Sequence, residues 1–195
     1  MAKTNDPHAA AIKSWKTRAR NAGGGGVVQQ GKDWIDPERT AELLQVWAYG
    51  EGEYGYKSGR DPMTRTGKEM TKALKTLPVY RGEVHRGMSM TPTELDKLTV
   101  GKTFTVKKHS SASKSKSVAE DFADGHVARG RRRVILTVIG RGRDFSKAKA
   151  ANVIHREKEV VLMAGTKLKI TSIVREEGYE AADETFYITA REVRD

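Results

Sequence analysis

The sequence predicts an α+β domain in which a helical first half precedes a β-rich second half. Two observations carry this. Apolar residues recur at helical spacing up to Leu77, and from Lys102 onward they alternate or run in short blocks, as strands do. No segment repeats at a fixed period.

Taken in order, Asp36-Pro37-Glu38 combines an N-cap, a proline at the first helical position and an early acidic residue. It opens a helix whose Leu43, Leu44, Val46 and Trp47 form one buried face ending near Gly50. Gly50 to Gly59 is a Gly- and Tyr-rich loop. Thr66 to Leu77 is a second helix with Met70, Ala73, Leu74 and Leu77 inward, stopped by Pro78. Val79-Tyr80-Arg81-Gly82 starts a short strand, and Thr91-Pro92-Thr93-Glu94 is a capping box opening a brief helix to Leu98.

Thr103 to Val106 and His109 to Ser113 are strands or strand ends. Ser117 to Gly125 is a helix with Val118, Ala119, Phe122 and Ala123 on one side, and Arg133 to Ile139 is a strong strand. After a basic loop, Glu159 to Met163, Lys167 to Val174 and Thr185 to Ala190 complete the β-rich half. Residues 1–32 stand apart. They hold the basic stretch Lys13 to Arg20 and the run Gly23 to Gly26, and are expected to form a flexible segment preceding one domain over residues 33–195.

A chain of 195 residues buries one sizeable core without metals or disulfides. It has no cysteine, which excludes a disulfide framework, a thiolate nucleophile and Cys-based metal sites, and fits a reducing compartment. Met1 to Ala10 is not an apolar leader, and no window approaches the roughly 18 apolar residues of a membrane span. A soluble, cytoplasmic protein is expected.

Thirty-six Lys+Arg against 25 Asp+Glu give a formal charge of +11, a field that attracts nucleic acid, nucleotides or acidic protein surfaces. The basic runs, Arg129 to Arg133, Arg141-Gly-Arg143 and Lys107 to Lys116, are each ordinarily solvated surface. The five histidines, at 8, 85, 109, 126 and 155, show no metal-ligand spacing and read as surface or supporting residues, with His109 placed beside a serine cluster. No Gly-x-Gly-x-x-Gly follows a strand, so a dinucleotide would not be held as a Rossmann fold holds it.

Three short segments are weak alone and informative together. Arg81-Gly82 puts a charge on a strand beside a residue that allows close approach to the backbone. His109-Ser-Ser-Ala-Ser113 places hydroxyls just before a helix, ordinarily a turn and cap. Glu157 and Glu159, two residues apart before an apolar run, would lie on one face of a strand about 6–7 Å apart, although such a pair is common on solvated strands.

In this order the segments resemble the Arg–Ser–Glu class of mono-ADP-ribosyltransferases, which includes clostridial binary toxins, arginine-modifying bacterial exoenzymes and phage-encoded enzymes. The resemblance runs from about Ile35 to Val193. It implies a core of two packed, mostly antiparallel sheets with an N-terminal helical layer and an NAD cleft. NAD would be a consumed substrate, with no metal.

By the same resemblance Arg81 holds NAD through phosphate and ribose, and the backbone of Gly82 meets the nicotinamide amide. Ser111-Ala112-Ser113 stands for the family's Ser-Thr-Ser, with Ser111 supporting the catalytic glutamate. Ala112 departs from the pattern, and Ser110 offers an alternative register. Phe122 corresponds to an aromatic beside the nicotinamide, while its place on an amphipathic helix favours core packing. Glu159 matches the catalytic glutamate and Glu157 the residue that faces an arginine acceptor. The implied function is transfer of ADP-ribose to arginine side chains by a phage-like effector in a host bacterial cytoplasm. The charge would suit ribosomes, polymerase or other nucleic-acid-associated acceptors. The rivals are a basic nucleic-acid-binding protein and an inactive transferase-like structural protein.

Overall fold

The computed structural model describes residues 35–49, 59–125, 130–147, 158–178 and 184–193. The expected N-terminal segment 1–32 and Glu157 lie outside them. The chain divides into two compact units, residues 1–77 with 147–153, and residues 78–146 with 154–195.

The first unit holds α1 (Pro37–Tyr49) and α2 (Arg65–Lys75). Asp36 caps α1 as its sequence predicts: its Oδ1 accepts the N–H groups of Glu38 at 2.8 Å and Arg39 at 3.1 Å, two donors the helix cannot satisfy itself. Ala41, Leu43, Leu44 and Trp47 are buried, and Arg39 joins the helices through Glu69 on α2. The cap of α2 is Thr64, whose hydroxyl accepts the Gly67 N–H at 2.9 Å.

The second unit contains β1 (Val79–Met90), α3 (Pro92–Leu95), β2 (Thr103–Thr105), β3 (Ser110–Ser113), α4 (Lys116–Asp124), β4 (Arg132–Asp144), β5 (Glu159–Leu162), β6 (Lys167–Glu176) and β7 (Thr185–Glu192). The predicted capping box is complete, with Thr91 and Glu94 each accepting the other's backbone N–H. Both β1 and β4 are longer than their sequence signals. They pair antiparallel over their full lengths, from Val79 opposite Arg143 to Met90 opposite Arg132.

All seven strands form one hydrogen-bonded network, in the order β1-β3-β5-β4-β7-β6-β2 with β1 also paired to β4. Strands β1 and β4 are therefore common to two wings, one through β7, β6 and β2 and the other through β5 and β3. Only the β4–β7 pairing is parallel. The fold is α+β. Alternation sends Val84, Val134, Leu136, Val138, Ile188 and Ala190 to one face, where Ala112, Val160, Leu162, Leu168 and Ile170 join them in a single core.

The opposite face of β1 carries α4. A Cβ on Gly87 would stand 1.9 Å from the Ala119 carbonyl oxygen and 2.6 Å from the Ala123 nitrogen, so only glycine lets helix and strand backbones meet there. Much of the positive charge is spent inside the unit. Arg131 pairs with Glu94, Arg132 with Glu184, Arg133 with Asp124 and Arg141 with Glu192, so these runs tie elements together. No helix among the described residues is long and apolar enough to cross a membrane.

Candidate active site

Strand pairing sets the site. Glu159, the first residue of β5, lies opposite Ser113 on β3; Ser113 lies opposite His85 on β1; His85 lies opposite Thr137 on β4. Directly opposed residues share a sheet face, so carboxylate, hydroxyl and imidazole form one row. Glu159, Ser113 and His85 are all buried.

Glu159 is held from behind. Lys158 adopts φ 46°, a left-handed conformation that costs about 1 kcal/mol for a residue with a side chain. Its carbonyl accepts the Lys114 N–H at 3.2 Å, linking the residue before Glu159 to the residue after Ser113. The Lys114 ammonium lies 2.9 and 2.8 Å from the two carboxylate oxygens of buried Asp144 at the end of β4, and 4.8 Å from the centre of the Tyr80 ring. Ser146 donates to the same carboxylate at 2.6 Å. This cluster fixes the corner where β3, β4 and β5 meet.

The serines divide by face. Ser111 and Ser113 alternate onto the Glu159 face. Ser110 falls on the other with Ala112, and its hydroxyl donates to the Lys108 carbonyl at 2.8 Å. The Ser113 hydroxyl accepts the Ser115 N–H at 2.9 Å and so shapes the turn into α4.

The arginine that the structure brings to the serines is Arg86. The β1–β3 ladder is a single registered pair, His85 with Ser113. One turn of the pleat further the main chains are no longer paired, and Arg86 Nη1 donates to the Ser111 carbonyl across the opening. Arg81 is not brought there. It is exposed, lies opposite Arg141, and stands four residues from His85, about 13 Å along the strand. Gly82, with φ 154°, lies beside it, away from the row.

Phe122, expected mainly to pack in the core, is 46 % exposed; Ala119 and Ala123 are the buried residues of α4, and their small size lets the helix sit on Gly87. The two described histidines are buried and not on the surface. His109 Nδ1 accepts the Ala164 N–H at 3.1 Å and staples the turn after β5. His85, which sequence reasoning did not single out, has Nδ1 3.0 Å from the Thr137 hydroxyl and Nε2 3.3 Å from Glu83. Its position just before Arg86-Gly87 was its only local signal. No group of three or more His, Asp or Glu among the described residues is placed to hold a metal.

Burial lowers the His85 pKa, with Lys116 acting in the same direction and Glu83 and Glu120 opposing. The folded chain therefore resists protonating this ring. The resulting stability is complete above the unfolded value of about 6.5 and is lost as pH falls through the lower folded value. His85→Gln, which does not titrate, should destabilise the protein more at pH 7.5 than at pH 5. Equal losses in urea midpoint at the two pH values would contradict the assignment.

No protein-family model matches the sequence, and no curated protein matches it. Solved structures do. The Vis toxin of Vibrio splendidus, an ADP-ribosyltransferase, aligns with 100% of this chain and 88% of its own at 19% identity and a TM-score of 0.60. It is also known in complex with agmatine. The type III effector XopAI of Xanthomonas axonopodis pv. citri aligns with 96% of this chain and 73% of its own at 18% identity, TM-score 0.60. Exoenzyme S of Pseudomonas aeruginosa, solved with human 14-3-3 protein beta and bound to Carba-NAD, aligns with 94% and 88% at 16% identity, TM-score 0.52. This chain has the fold of the mono-ADP-ribosyltransferases.

Proposed function

We propose that the protein transfers ADP-ribose from NAD to arginine side chains of other proteins and releases nicotinamide. The observation that carries this is the buried Glu159 carboxylate, fixed opposite Ser113 beside the opening bridged by Arg86, on an ADP-ribosyltransferase fold. Carba-NAD in exoenzyme S and agmatine, a free guanidine, in Vis support the two substrates.

Cleavage of the bond between nicotinamide and ribose leaves positive charge on the anomeric carbon and ring oxygen, while nicotinamide departs with the bonding electron pair. A fixed carboxylate in a dry site stabilises that charge more than it stabilises bound NAD. Glu159 has this role and accepts a hydrogen bond from the ribose 2′-hydroxyl. Ser111 and Ser113 support it from β3. Arg86 takes the part that the resemblance gave to Arg81: it holds the Ser111 segment and brings a guanidinium to the dinucleotide phosphates. The backbone of Gly87 then stands where Gly82 was expected, and exposed Phe122 on α4 offers a ring to the nicotinamide.

A guanidinium nitrogen forms the new bond to the anomeric carbon and gives up its proton as it does so. Glu157 orients the acceptor and takes that proton. The protein is accordingly incubated with labelled NAD and a bacterial lysate. Label should enter protein through a hydroxylamine-labile linkage. Glu157→Gln should lose about 10²-fold or more in transfer and keep NAD hydrolysis, as expected for a lost general base. Absence of both label transfer and nicotinamide release would refute the proposal.

A further inference from the structure

Arg86 bridges β1 to the Ser111 segment, and Arg81, about 13 Å further along the strand from His85, has other surroundings. A cavity of about 400 Å³ opens at the ends of β1, β4 and β7, lined by Arg81, Gly82, Ile139, Gly140, Arg191 and Glu192. We propose that it is a second binding site, for a phosphomonoester of nucleotide size, separate from the NAD-cleaving row.

The charges decide the ligand class. Glu192 is the cavity's acid, and Arg141 already neutralises it: Nε lies 2.9 and 3.1 Å from the two carboxylate oxygens, Nη2 lies 2.7 Å from Oε1, and the Arg141 main-chain N–H donates to Oε2 at 3.0 Å. Neither Arg81 nor Arg191 has an acidic partner among the described residues. That leaves these two guanidiniums, while neighbouring Arg141 is paired with Glu192.

Register places these two arginines on either side of one ligand. Arg191 faces Ile139 on β4, which faces Glu83 on β1, so Arg81, two residues from Glu83, shares a sheet face with Arg191 at about 12 Å. Two arginine side chains converge over that span. Between the two strands the facing pair Gly82 and Gly140 lines the cavity, with the Tyr80 hydroxyl and the Glu192 side chain packed where their side chains would be. A phosphomonoester dianion matches two guanidiniums in charge and in bidentate geometry, whereas one carboxylate leaves an arginine unmatched. The volume lies within the range of roughly 300–1,000 Å³ common for small-ligand sites and exceeds what a bare phosphate fills.

The test is calorimetric titration of the full chain with adenosine 5′-monophosphate, adenosine and inorganic phosphate. It needs no turnover, so it reads this site even if the transferase reading fails. The monophosphate should bind, adenosine should not, and inorganic phosphate should bind more weakly than the monophosphate. Arg81→Gln and Arg191→Gln should each weaken monophosphate binding at least tenfold. Both positions are at the surface, and unchanged melting midpoints confirm that the variants are folded. Arg191→Gln should leave the KM for NAD within about twofold of the parent. No monophosphate binding, binding indifferent to both variants, or displacement of the monophosphate by NAD with a matching rise in the Arg191→Gln KM would each overturn a separate site.

Discussion

Glu159→Gln is expected to lower nicotinamide release from NAD by about 100- to 1,000-fold, or ~3–4 kcal/mol, with little change in melting midpoint. Glutamine keeps the shape and hydrogen-bonding reach of the side chain and removes only its charge. Because Glu159 is buried in its row, the ribosyl cation sees that charge with little screening by water. Pre-steady-state measurement of nicotinamide release with both proteins checks this. A variant that keeps more than a tenth of the parent rate would take the carboxylate out of the mechanism.

The second large effect is on stability. Lys114→Met removes the ammonium that meets both oxygens of buried Asp144, and breaking a buried pair by removing one partner costs roughly 3–5 kcal/mol. The lower end is expected, since Ser146 still donates to the carboxylate. The double variant Lys114→Met with Asp144→Leu removes the buried carboxylate as well and should recover most of the loss. Urea unfolding of the single and double variants measures both quantities. A single variant within about 1 kcal/mol of the parent would show that the corner behind Glu159 does not depend on the pair.

The sequence was most informative where a signal was local. Asp36 before Pro37 and Thr91 three residues before Glu94 define helix starts through chemistry that acts within one turn, and both caps form as read. Glu159 likewise begins the apolar block that becomes β5. Less legible was anything fixed by register between distant strands. Residues 79–90 contain two Arg-Gly pairs, at 81–82 and 86–87, five residues apart and therefore on opposite faces of the strand. Position along the strand and not its face decides between them, and it requires knowing that β1 meets Ser113 at His85 and not at Tyr80. That pairing joins positions 28 residues apart directly, β1 to β3, and no periodicity within β1 encodes it.

Phe122 misled for a related reason. Its helical spacing from Val118 and Ala119 reads as an apolar face, but the approach of α4 to Gly87 leaves room only for the alanines. Buried His85 was missed because one histidine in a strand carries no pattern, and its role comes from Thr137, 52 residues away.

In the proposed reaction this site cleaves NAD and gives the ADP-ribosyl group to a guanidine. Incubation with NAD and agmatine followed by mass measurement tests it most directly, because agmatine replaces the unidentified acceptor protein. Agmatine carrying one ADP-ribosyl group with one nicotinamide released per adduct is expected, and neither product from Glu159→Gln. Unmodified agmatine and intact NAD after incubation with folded protein would contradict it.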